Sequence, residues 1–152
     1  MTALADVRRH PGSRRHPQFS SDALAASLPA RGIRYEHLPA LGGRRKPAPA
    51  SPNDGWENDS FRAYADHLDS EEFAGGVAAL EELARRRATA IMCAEGMWWR
   101  CHRRLVADVL TVRGWTVCHI APAGALSEHE LPDFAVVEGE RITYPAPQLR
   151  LG

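Results

Sequence analysis

Ala88-Thr-Ala-Ile-Met-Cys-Ala-Glu-Gly-Met-Trp-Trp-Arg-Cys-His-Arg-Arg-Leu-Val-Ala-Asp-Val-Leu-Thr-Val-Arg-Gly114 is the stretch that decides the fold class. Residues 88–93 are an apolar run of strand length and read as a buried strand. Residues 100–113 read as a helix, because His102, Leu105, Val106, Val109 and Leu110 recur at i, i+3, i+4, i+7 and i+8. Gly114 stands where a helix C-cap glycine belongs. Six residues, 94–99, join strand to helix.

The pattern extends in both directions. Upstream, residues 2–7 are a short apolar strand, and residues 8–20 are a loop punctuated by Pro11-Gly12 and Pro17. Ser21-Asp22 opens a helix carrying Ala23, Leu24 and Leu28 and stopped by Pro29. Residues 33–38 alternate apolar and polar, a strand by period. Residues 39–58 form a Pro-, Gly- and Asn-rich loop, and loops longer than about 12–15 residues tend to be functional or mobile. A short helix follows at 60–68; a second, capped by Asp69 with Glu72 three residues on, is predicted to run to about Arg87. Downstream, residues 115–120 read as a strand. Residues 134–137 and 141–144 read as a hairpin around Glu138-Gly139-Glu140. Helices alternating with apolar strands predict an α/β fold. The expected form is three-layered: a mainly parallel sheet, helices on both its faces and a C-terminal β-hairpin.

The chain has 152 residues, within the range of about 100–200 for one domain, so 1–152 is expected to be a single α/β domain. A hydrophobic fraction of 44% and a charged fraction of 25% are ordinary for a globular protein and exclude a disordered tail. No apolar run approaches the ~18 residues of a membrane span, and the N-terminus lacks a signal-peptide layout. Three Cys argue against a disulfide framework and for a reducing cytoplasm.

Lys+Arg 19 against Asp+Glu 19 gives zero net charge, but the charges are segregated. Residues 1–46 hold nine basic and three acidic residues, a local +6, which leaves −6 for the rest. The basic residues are 18 Arg and one Lys, Lys46, and Arg suits bidentate contacts to phosphate or carboxylate. In a parallel sheet, ligands bind outside the carboxyl ends of the strands. Residues 8–19, 41–47 and 93–104 would all fall there, so Arg from distant segments would converge on one rim.

Three segments carry a family resemblance: Asp6-Val-Arg-Arg-His-Pro-Gly-Ser-Arg-Arg-His-Pro-Gln-Phe19, Gly32-Ile-Arg-Tyr-Glu-His-Leu-Pro-Ala-Leu-Gly-Gly-Arg-Arg-Lys-Pro47 and Met92-Cys-Ala-Glu-Gly-Met-Trp-Trp-Arg-Cys-His-Arg-Arg-Leu105. From Asp6 to about Ile120 the chain resembles the bacterial domain-of-unknown-function family 488, which implies an α/β fold and no established reaction. Members of that family usually place an extra strand and helix with a Gly-His-Ser motif ahead of the Asp-Val-Arg strand. This sequence starts at the second strand, which would leave a strand position open for a homodimer.

The candidate chemistry centres on these loops. Cys93, at a strand end before a helix, is a candidate nucleophile, since a helix N-terminus and nearby Arg lower a thiol pKa. The layout is similar to that of cysteine phosphatases and rhodaneses, but six residues separate Cys93 from Arg100 where the phosphatase signature has five. The alternative is a small buried thiol. Glu95 and His102 form a candidate acid/base pair; alternatively, His102 belongs to the buried stripe of its helix. Cys93, Cys101 and His102 are an alternative zinc set with poor spacing, and no cofactor is expected. Arg8, Ser13, Arg14, Gly42, Gly43, Arg44, Arg45, Arg100 and Arg103 are candidate ligand-binding residues, the glycines as backbone donors. Arg104 and Asp108 are spaced for an i, i+4 pair; Trp56, Trp98 and Trp99 lie near these loops and could stack on a base or another flat ligand, the alternative for Trp98-Trp99 being a core anchor plus a lid. The leading expectation is binding of a phosphate-bearing ligand, a nucleotide or nucleic-acid end, with hydrolase or transferase activity as an extension. The alternatives are a non-catalytic nucleic-acid-binding module and a structural protein whose Arg pair internally.

Overall fold

A computed structural model describes residues 1–12 and 14–146. In chain order the elements are β1 (Ala3–Asp6), α1 (Ser21–Ser27), β2 (Arg34–His37), α2 (Asp59–His67), α3 (Glu71–Arg86), β3 (Thr89–Met92), α4 (Arg103–Val112), β4 (Cys118–Ile120), β5 (Leu126–Glu128), β6 (Val136–Glu138) and β7 (Arg141–Thr143). Length predicts one domain; the contacts gather into two compact units interleaved in sequence. One is Met1–Gly43 with Glu71–Ala94, the other Arg44–Ser70 with Glu95–Gly152, of which the described part ends at Ala146. No described helix is long and apolar enough to cross a membrane.

The first unit is built on a parallel three-stranded sheet in the order β2-β1-β3. Its central strand is the buried one: Ala3, Ala5, Asp6 and Val7 are all fully buried. This corrects the reading of residues 88–93 as a buried strand. β3 is an edge strand, and each of its four residues is only half-buried. The α1 cap falls one residue ahead of the expected opening at Ser21: the Ser20 hydroxyl accepts the Ala23 N–H at 3.2 Å. Along α3, Phe73, Val77, Leu80 and Leu83 form a buried stripe at helical spacing. Asp69, expected to cap this helix, belongs to the second unit, where its carboxylate accepts from the Arg141 guanidinium at 3.1 Å.

The second unit contains α2, α4 and two antiparallel pairs, β4-β5 and β6-β7. The helix expected from residue 100 begins at Arg103. A 3-10 turn, Trp98–Arg100, precedes it, and the Cys101 sulfur accepts the Arg103 N–H at 3.4 Å. Its C-terminus fulfils the expectation for Gly114, which has φ +93. Gly114 N–H reaches Thr111 O at 3.1 Å and Trp115 N–H reaches Leu110 O at 2.9 Å, the paired bonds of a Schellman ending. The strand expected at 115–120 is shorter and lies outside the parallel sheet. β4 pairs with β5 across a tight turn containing Gly124, φ +90, because a local hairpin satisfies its backbone. The hairpin around Gly139 forms as predicted.

Within residues 39–58, the segment from Ala48 to Asn53 is held by side chains of the second unit. Asn53, 1% exposed, donates to Asp66 at 2.8 Å and accepts the Tyr144 N–H at 2.9 Å. Ser51 donates to the same Asp66 carboxylate, and Ala48 N–H reaches its other oxygen at 2.9 Å.

Candidate functional site

At the carboxyl end of β1, Asp6 is buried at the sheet's centre and its carboxylate collects four donors. Arg8 gives Nε at 2.8 Å, Nη2 at 2.7 Å and its backbone N–H at 3.1 Å, and the Tyr35 hydroxyl of β2 gives a fourth at 2.5 Å. Burial pushes the Asp6 carboxyl up, but the bonds from Arg8 and Tyr35 and the Arg8 charge outweigh it, so its pKa lies below the ordinary value. Tyr35 is pushed up by burial and by Asp6 and stays protonated. The Arg8 guanidinium also donates to Phe19 O at 2.7 Å, closing the loop 8–19 on itself, and the His37 ring bonds Arg8 O at 2.6 Å. This arrangement makes Arg8, expected to face a ligand, the clamp at the loop's base.

Other predicted residues share that edge. Val7 N–H bonds Met92 O at 3.0 Å, which sets the half-buried Cys93 beside the start of loop 8–19. Gly42 is buried against Arg9: a Cβ there would lie 2.6 Å from the Arg9 Cβ and 2.7 Å from its backbone, so only glycine admits the contact. Arg14 is exposed beside its exposed neighbour Arg15, and Gly43 is half-buried. Ser13 lies outside the described residues.

The remaining predicted residues belong to the second unit. The Glu95 carboxylate accepts the Met97 N–H at 3.0 Å, and the Glu95 carbonyl accepts from the Arg103 guanidinium at 2.7 Å. His102 is half-buried at the N-cap of α4, with Nδ1 3.6 Å from Cys101 Sγ and its ring 5.0 Å from that of Tyr64. Arg100 and Arg44 are exposed and Arg45 is half-buried; Arg44 has the left-handed φ of 59. Among the described residues, no group of three or more His, Cys, Asp or Glu is placed to hold a metal ion, the set Cys93, Cys101 and His102 included. Trp56 is a core residue, 6% exposed and edge-on to Phe61 and Phe134, and one face of Trp98 is covered by His119. Trp99, 47% exposed, is the one of the three with an open surface.

Sequence reasoning missed a buried polar chain in this unit. Asp108 of α4 accepts the Tyr144 hydroxyl at 2.7 Å on one oxygen and meets His129 Nε2 at 2.5 Å on the other. His129 Nδ1 lies 2.7 Å from His119 Nε2, and the His119 ring stacks on Trp98 with centroids 3.9 Å apart and planes 4° apart. Asp108 therefore does not pair with Arg104, whose guanidinium lies over Trp56 at 4.9 Å and Trp98 at 5.9 Å. The signal was Asp108 itself, a carboxylate among Leu105, Val106, Val109 and Leu110 on a helix too buried to leave it unpartnered.

No curated protein and no solved structure matches the chain. The Asp6 clamp, the Arg loop it anchors, Gly42 and Cys93 all fall inside residues 1–110, the span matched by the family model Domain of unknown function DUF488, and the chain belongs to that family.

Proposed function

We propose that the first unit binds a phosphate-bearing ligand, a nucleotide or nucleic-acid end, at the carboxyl edge of its parallel sheet. One observation carries the reading. Loop 8–19 contains no Asp or Glu, is pinned at its base by the buried Asp6–Arg8 pair, and presents Arg14 and Arg15 exposed. Among the described residues neither makes a hydrogen bond or ion pair. Uncompensated guanidinium groups on an anchored loop suit a phosphate, which they can grip bidentately. The adjacent thiol of Cys93 extends the proposal to a hydrolase or transferase step.

Titration calorimetry with inorganic phosphate, a nucleoside monophosphate and a 5′-phosphorylated oligonucleotide tests it. Binding is expected to weaken about tenfold or more in the double variant Arg14→Ala, Arg15→Ala, one to two charge-assisted contacts at about 1.5–3 kcal/mol each. The exposed control Arg31→Ala should bind as wild type does. Equal affinity in the double variant, or no binding of any of the three probes, overturns the proposal. Oligonucleotide binding with a steep salt slope and no response to the terminal phosphate would favour a nucleic-acid-binding module. For the enzymatic extension, Cys93 should alkylate faster than free cysteine at neutral pH and be protected by phosphate.

A further inference from the structure

The buried chain of the second unit has a direction. Tyr144 and Asp108 are fully buried, His129 is 5% exposed and His119 8%. Burial and the Asp108 charge push the Tyr144 hydroxyl far up, so it stays protonated and donates. A carboxylate only accepts, so the hydrogen between Asp108 and His129 sits on His129 Nε2. In the neutral ring Nδ1 then holds a lone pair and accepts from His119 Nε2. That assignment leaves His119 Nδ1 as the unprotonated nitrogen, at the least buried end of the chain, with the ring plane fixed by Trp98.

We propose that His119 Nδ1 is the proton acceptor of a catalytic centre in the second unit, a general base for an O–H group, either water or a ligand hydroxyl. In that step the O–H proton moves to Nδ1 and the bonding pair stays on oxygen. The imidazolium formed keeps its Nε2–H bond to His129 and lies two hydrogen bonds from the Asp108 carboxylate, which does not take the proton. His129 and Asp108 are positioning residues, and Tyr144 fixes the carboxylate. The charged groups that act on His119 are His129 and, on α4, Arg103; Asp108 and Tyr144 follow along the chain, and Cys118 and Glu128 are its neighbours on β4 and β5. Burial, His129 and Arg103 pull the His119 pKa down to about 4, so the base is unprotonated at neutral pH. The inference is independent of the phosphate site, which belongs to the other unit.

Two measurements on the full chain test it. With 15N-labelled histidine, long-range NMR at pH 7 should show His119 neutral and protonated on Nε2; a ring protonated on Nδ1 overturns the proposal. Diethyl pyrocarbonate, mapped by peptide mass, should acylate His119 in the folded protein, the Nδ1 lone pair attacking the reagent's carbonyl carbon and ethyl carbonate leaving. The exposed His10 serves as reference, and an unreactive His119 beside a reactive His10 also overturns the proposal. In Asp108→Asn, an amide donating to His129 Nε2 should reverse the chain, move the His119 proton to Nδ1 and lower acylation at least about tenfold. An unchanged tautomer in that variant is a refutation. If the variant does not fold, the two wild-type measurements still decide.

Discussion

Replacing Asp6 by Asn removes the charge at the centre of the first unit's sheet and leaves every neighbour in place. Asp6 is fully buried and the Arg8 side chain is 11% exposed, so solvent screens the pair little. The amide keeps one acceptor oxygen, but in either orientation its NH2 group now faces an N–H of the Arg8 guanidinium, which only donates. Removing one member of a buried pair costs about 3–5 kcal/mol because the other charge is left uncompensated. For a chain of this length each kcal/mol is worth about 2–4 °C, so the midpoint should fall by roughly 6–20 °C. Thermal melts followed by circular dichroism measure it. Because the pKa of Asp6 in the folded chain is depressed below 3.8, its stabilisation is complete above that pH and is lost as the pH falls through the folded value. The gap between wild type and variant should therefore be full at pH 7 and narrow below about pH 4. A loss under about 1 kcal/mol at pH 7, or a gap that widens on acidification, would refute the reasoning.

Other substitutions read different contacts. Asn53→Ala should cost about 2–4 kcal/mol in urea denaturation, since the buried Tyr144 N–H loses its acceptor and Asp66 a donor. Gly114→Ala should cost about 1–2 kcal/mol, because φ +93 places a Cβ in a disfavoured region. Arg141→Ala, which removes an exposed ion pair with Asp69, should leave the urea midpoint close to that of the wild type. His119 has its folded pKa lowered from 6.5 to about 4, so the unfolded chain takes up the proton first. Stability should fall as pH drops from 6.5 toward 4, and His119→Gln should flatten that part of the profile measured by urea melts.

The local periods in the sequence were enough to find the helices and most strands. The 3.6-residue stripe of Leu105, Val106, Val109 and Leu110 and the glycine ending at Gly114 act within a few residues of one another, and each appears as read. The edge position of β3 was not legible, because an apolar run has the same period at the centre of a sheet and at its rim. β5 was hidden because all three of its residues are exposed.

The candidate residues divide the same way. The sequence by itself determined that residues 8–19 are an acid-free Arg loop after a strand, since composition and turn residues are local properties. Tertiary structure alone decided that Arg8 is spent on Asp6, that Gly42 is required by Arg9, and that Asp108 serves His129 and not Arg104. Asp6 and Tyr35 are 29 residues apart, and Asp108 and Tyr144 are 36 apart. A buried charge takes whichever donor the fold delivers to it, and over such separations delivery depends on the path of the whole chain.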